Sequence, residues 1–213
     1  EVPAGTMSLV SSDLELPFDD DGTGNQTNGL RFTNVTVPQG VSIANAYIQF
    51  TADATVGTHS GPITLTIQGQ AIDDAPTFTS TANDITSRTL TTASVTWSPA
   101  AWTSGNRTAA QQTVDISSII TEIISRPGWV SGNDIVITIA GTGNATNTRR
   151  AESFDGVTGQ EPELFIDYTL GPVVVVTNPP TSSTVVQIGG TVNFAWSASD
   201  PDGDIVTGGS YDP

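Results

Sequence analysis

Short runs in which apolar and polar residues alternate one by one restrict the folding of this chain more than any other feature. Ala46, Ile48, Phe50 and Ala52 alternate with Tyr47, Gln49 and Thr51, and Ile63, Leu65 and Ile67 alternate with Thr64, Thr66 and Gln68. Ile135, Ile137 and Ile139 repeat the pattern, as do Leu164, Ile166 and Tyr168. A period of two sends successive side chains to opposite faces of a pleated strand, so each run predicts a half-buried antiparallel strand. Gly, Asn, Asp and Pro punctuate the runs, as at Val37-Pro38-Gln39-Gly40 and across residues 57–62, and predict tight connections. The expected class is all-β.

One segment follows a different period. Ile116, Ile119, Ile120, Ile123 and Ile124 are spaced to share one face of a helix, which predicts a single short helix over residues 116–125. Asp115 or Ser117 is placed to cap its start. Arg126-Pro127-Gly128 ends it, because proline disfavours helical geometry in the residue before it.

The ionisable residues narrow the chemistry. Among 213 residues there are 22 acids, one histidine, no cysteine and six cations, all of them arginine. General acid–base and nucleophilic catalysis near neutral pH draw mainly on His, Cys and Lys, so the expectation is a protein that is not an enzyme. His59, between Thr58 and Ser60 in a predicted hairpin loop, reads as a lone surface histidine. A net charge of -16 repels phosphate backbones and anionic lipid, which disfavours nucleic acid and membrane surfaces as partners. No apolar run approaches the roughly 18 residues of a membrane span, and the first residues lack the regions of a signal peptide, so an exported protein would have lost its signal already. Without cysteine there is no disulfide framework, and stability must come from a sizeable core or a bound metal. The expected compartment is extracellular or the cell surface, where counterions screen the acidity.

The texture changes at Leu170-Gly171-Pro172, which divides the chain into a first domain, 1–170, and a tail, 171–213. In the tail, Val173 to Val176 and Val192 to Trp196 read as strands, followed by Asp200-Pro201-Asp202-Gly203-Asp204. This tail resembles the start of a bacterial immunoglobulin-like or PKD-like repeat. Such domains take about 80 to 100 residues, so the tail is expected to be an incomplete one.

The first domain resembles the bacterial secreted β-sandwich modules related to DNRLRE-type carbohydrate-binding jelly rolls. Ser12-Asp13-Leu14-Glu15-Leu16, Leu30-Arg31-Phe32-Thr33-Asn34-Val35, Val95-Thr96-Trp97-Ser98-Pro99, Arg126-Pro127-Gly128-Trp129 and Ala151-Glu152-Ser153-Phe154-Asp155-Gly156 carry the resemblance. It implies a jelly-roll sandwich inside a multimodular extracellular protein, and no particular glycan.

Several residues are candidates for binding. Tyr47 and Gln49 share the polar face of their strand, and Trp102 lies in a loop between Ala100-Ala101 and Thr103-Ser104-Gly105, where exposure would let its ring stack on a sugar. Trp97 and Trp129 read as core anchors. Asp19, Asp20 and Asp21 cluster in a Gly- and Asn-rich loop, and Asp200, Asp202 and Asp204 have the alternate spacing of a calcium loop, so Ca²⁺ is the expected structural cofactor. In a jelly roll the first and last strands are neighbours, which brings Glu15 near Glu152, to share a structural metal or to pair with arginines; ion pairs are favoured, because Arg88 and Arg149 need partners as well. The Asn-x-Thr sequons at Asn25, Asn34, Asn106 and Asn144 carry little weight in a chain so rich in Thr and Ser. Two functions are compatible with this reading. The first is a non-catalytic module that binds polysaccharide. The second is a structural subunit of a filament, adhesin or surface layer, whose partners would be neighbouring subunits joined by β-strand addition.

Overall fold

In the computed structural model the described residues are 1–19, 24–54, 60–171, 173–176 and 196–199. They divide into two compact units, Glu1–Tyr168 and Thr169–Pro213. The first unit holds β1 (Asp13–Leu16), β2 (Phe18–Asp19), β3 (Gly24–Asn25), β4 (Asn28–Phe32), β5 (Ser42–Gln49), β6 (Leu65–Gln70), β7 (Leu90–Trp97), α1 (Ser117–Ile124), β8 (Ile135–Gly141) and β9 (Arg149–Glu152), with β10 (Glu163–Thr169) at its end. In the second unit β11 (Val173–Val176) pairs antiparallel with β12 (Trp196–Ser199). β12 begins on the last residue of the strand predicted there; Val192 to Ala195 lie outside the described residues.

The first unit is an antiparallel sandwich. One layer is the sheet β4-β8-β6-β7. In the other, β1 pairs with β9, and β10 pairs with β5. β9 joins the continuation of β5, where the Glu152 N–H donates to the Thr51 carbonyl at 2.9 Å and the Asp53 N–H to that of Arg150 at 3.0 Å. Even-numbered residues of β5 turn their backbone groups the other way, toward the segment 105–116. The Thr113 and Ile116 N–H groups donate to the Ile48 and Ala46 carbonyls at 3.0 and 2.8 Å, and the Phe50 N–H to that of Gln111 at 2.9 Å. With that segment taken as a strand, and β9 and β10 as one interrupted strand, each layer has four members in the strand order of a jelly roll.

The inward phase expected for β5 and β6 is present, with Ala46, Ile48, Phe50, Leu65 and Ile67 buried in the core, but Gln49 and Thr51, expected on the polar face, are buried as well. β8 departs from it, because Val136 and Thr138 are buried as well as Ile135, Ile137 and Ile139. It lies between β4 and β6 in the middle of its sheet, and a central strand can be covered on both faces.

The isoleucine stripe forms α1, and Ile116, Ile119, Ile120, Ile123 and Ile124 are all buried. The cap position is Ile116, and the Asp115 carboxylate accepts the Ser117 N–H at 2.9 Å and the Ala46 N–H at 3.0 Å, which ties the helix start to β5. α1 packs on β5, β6 and β7. Its seat needs Gly69, beside a register shift in β6: a Cβ there would lie 2.6 Å from Ile123 Cδ1 and 2.9 Å from Ile119 Cγ2.

Candidate functional site

Tyr47 and Phe165 meet on the outer face of the sheet that β5 and β10 form. Their rings are parallel within 12°, with centroids 5.1 Å apart. Period-two geometry explains the meeting: Ile48 and Ile166 turn inward, so Tyr47 and Phe165 turn outward. Stacking covers one face of each ring, and Phe165 keeps 43% of its surface exposed. On the far side of β5, an antiparallel bridge sets Gln112 opposite Gln49, and the same register places Val114, 42% exposed, opposite Tyr47. Val114, Tyr47 and Phe165 thus form an apolar row across three adjacent segments.

Polar groups flank this row. Arg107 Nη2 lies 2.6 Å from Glu163 Oε2, while Nη1 donates to Thr51 Oγ1 at 3.0 Å. The Gln112 amide donates to Gln49 Oε1 at 2.9 Å, and the Gln49 amide donates to the Phe50 and Thr108 carbonyls at 2.8 and 3.1 Å. Gln49 is therefore a buried brace under the face, and its hydrogen-bonding groups are committed within the fold.

Trp102 corrects an expectation. It is 2% exposed and donates its indole N–H to the Ala110 carbonyl at 2.9 Å. Its ring packs beside Phe50 and Trp97, with centroids 6.0 and 6.1 Å away. The small residues around it led to a surface assignment, yet the loop folds back over the core end of β5, and burying so large an apolar ring outweighs leaving it in water. Trp97 and Trp129 are core residues as expected. Phe165 and Arg107 are the members of the face that sequence reasoning did not single out. The signal was present: Phe165 is an aromatic on the water-facing phase of Leu164, Ile166 and Tyr168.

Of the expected calcium ligands, Asp19 is buried on β2, while Asp20, Asp21, Asp200, Asp202 and Asp204 lie outside the described residues, as does His59. Among the described residues no three His, Asp or Glu side chains converge as a metal site. β1 and β9 are neighbours, and their register sets Glu15 opposite Arg150 and Asp13 opposite Glu152. Arg150 Nε is 3.2 Å from Asp13 Oδ2, which is the ion-pair arrangement. Burial, then the nearby charges of Asp13 and Asp19, push the Glu15 carboxyl up to about 7 against the smaller opposing pull of its own backbone and Arg150. Arg149, adjacent in sequence, has no carboxylate among the described residues. It is fully buried, and its guanidinium donates to the carbonyls of Ala100, Gly61, Thr148 and Pro99 at 2.7 to 3.0 Å.

A scan against models of known protein families finds no match, and a search of curated proteins finds none that is similar. Among the described residues no helix is long and apolar enough to cross a membrane.

Proposed function

We propose that this chain is a non-catalytic carbohydrate-binding module of a larger extracellular protein, and that it takes polysaccharide on the Val114–Tyr47–Phe165 face. The resemblance of the first domain to secreted carbohydrate-binding jelly rolls motivates the class. The observation that carries the reading is the parallel ring pair of Tyr47 and Phe165, held rigidly by two strands and open to solvent at Phe165. The C–H-bearing faces of pyranose rings match flat aromatic surfaces. Arg107, Glu163 and Gln112 stand where sugar hydroxyls would need donors and acceptors. The face is shallow, so binding is expected to be weak for one site and to gain from repetition in a multimodular protein. Calcium enters as a structural aid through the Asp19–Asp21 and Asp200–Asp204 loops.

Affinity electrophoresis through gels containing single soluble polysaccharides tests the reading. At least one neutral polysaccharide is expected to retard the protein, with the retardation abolished by Phe165→Ala and unchanged by Val130→Ser, an exposed control. Equal mobility in every gel overturns it. Release of reducing sugar by the pure protein overturns the non-catalytic part.

A further inference from the structure

Apart from that face, the first unit carries a groove of about 600 Å³, bordered by β1, β2, β4 and the loop after β9, which shares no residue with the aromatic row. Its apolar lining comes from separate segments: Leu9 before β1, Leu14 on β1, Phe32 on β4, Phe78 after β6, and Phe154 after β9. Leu9 and Phe154 are 42% and 83% exposed, so the rim is apolar and open. The same lining includes Asp13, Glu15, Asp19, Asp155 and Glu161 beside Arg31 and Arg150, together with Glu1, whose carboxylate accepts the Ile85 and Thr86 N–H groups at 2.9 and 3.0 Å and whose amino group donates to the Thr27 carbonyl at 2.9 Å. Arg31 is held by Asp134, which lies outside the groove lining, and Arg150 is held at Asp13. The groove therefore pairs apolar surface with more acidic than basic groups.

We propose that this groove binds a basic peptide segment of another protein, with one Lys or Arg side chain among the carboxylates and apolar neighbours on Leu9, Phe78 and Phe154. Charge complementarity selects the cation, and a lining that draws apolar residues from several separate segments fits a peptide better than a free amine. A second copy of this chain fits less well, because its six arginines already lie against groups of their own fold. Arg31, Arg88, Arg107, Arg126 and Arg150 lie against Asp134, Asp84, Glu163, Asp73 and Asp13, and Arg149 is closed in by backbone carbonyls.

Proton linkage gives the proposal a signature. The charged groups acting on Glu15 are Asp13 on its own strand, Asp19 on β2, Arg150 on β9 and the Glu1 amino group, with Arg31, Asp155 and Glu161 elsewhere in the groove lining. Without a further cation, burial and the neighbouring acids favour its protonated form near neutral pH. A bound ammonium or guanidinium stabilises the carboxylate instead, so binding releases a proton and tightens as pH rises.

The experiment is a two-dimensional NMR titration of the full chain with acetyl-Gly-Leu-Lys-Phe-Gly-amide, and with the same peptide carrying norleucine for lysine, at pH 6 and pH 8. The lysine peptide is expected to shift the amides of Leu9, Leu14 and Phe154 saturably, to bind about tenfold more tightly than its norleucine analogue, and to tighten several-fold from pH 6 to 8. Phe154→Ser, at an exposed position that folding does not depend on, should weaken binding, and Glu15→Gln should remove the pH dependence. Absence of saturable shifts at millimolar peptide overturns the proposal, as do equal affinities for the two peptides or shifts confined to Tyr47 and Phe165. Concentration-dependent dimerisation through the groove in the absence of peptide also overturns it, in favour of a second copy as the occupant.

Discussion

Arg150 stands opposite Glu15 in the β1–β9 ladder, yet its guanidinium is nearer Asp13: Nε is 3.2 Å from Asp13 Oδ2, and Nη2 is 4.0 Å from Glu15 Oε1. Two acids on one face of a four-residue strand thus share one cation, with Asp13 the nearer. Burial first, and then the charges of Asp13 and Asp19, raise the Glu15 carboxyl, and Arg150 at this distance offsets little of it.

A pH-dependent stability follows. The Glu15 carboxyl titrates near 7 in the folded chain and near 4.5 when exposed, so the folded state holds this proton more tightly. Below about pH 4.5 both states are protonated and nothing is lost; from 4.5 to 7 stability falls, and above 7 the full penalty remains. Glu15→Gln is expected to melt with the parent at pH 4 and to be more stable at pH 8, by about 1–2 kcal/mol once solvent screening is allowed for. Urea denaturation at the two pH values checks this; an equal difference at both would show that Glu15 does not titrate in this range.

Arg149 is expected to be intolerant of both shortening and charge-preserving change. Arg149→Met leaves the Gly61, Pro99 and Ala100 carbonyls without this donor, at a cost of about 3 kcal/mol or more. Arg149→Lys should recover only part, because an ammonium cannot span the same fork. Chemical denaturation measures both; a lysine variant as stable as the parent would argue against the fork geometry.

The seat of α1 can be broken from either side. Burial of Ile120 contributes about 1.5 to 3 kcal/mol, and Ile120→Asp should cost more because a carboxylate would enter the core. Gly69→Val places atoms where Ile119 and Ile123 now lie and is expected to cost about 1–3 kcal/mol. Parental urea midpoints for both would show that the helix does not close over the sheet.

Calcium is expected to raise the melting temperature, and magnesium to substitute poorly because it keeps its waters and a tight octahedral shell. A hundredfold excess over the dissociation constant is worth about 2.7 kcal/mol. Melting curves in calcium, magnesium and chelator at fixed ionic strength make the comparison, and superimposed curves would overturn the structural role of calcium.

From its residues alone the chain specifies local geometry. Period-two runs place Ile48, Ile67 and Ile137 inward, and the helical stripe from Ile116 to Ile124 needs no distant partner to be recognised, because both periods are properties of the backbone. Adjacency of the first and last strands also followed from the resemblance, but the pairing did not: the folded chain sets Arg150 on Asp13 and gives Arg149 to backbone carbonyls. What tertiary structure decided is which distant segments share a surface. Phe165 becomes a neighbour of Tyr47 only when β10 pairs with β5, and Gln49 loses its freedom only because segment 105–116 lies against the other edge of β5. Trp102 is the plainest case: local sequence describes a loop, but only the folded chain shows that Phe50 and Trp97 wait beneath it. Burial and pairing over long separations are set by the whole packing problem, and no window of neighbouring residues contains them.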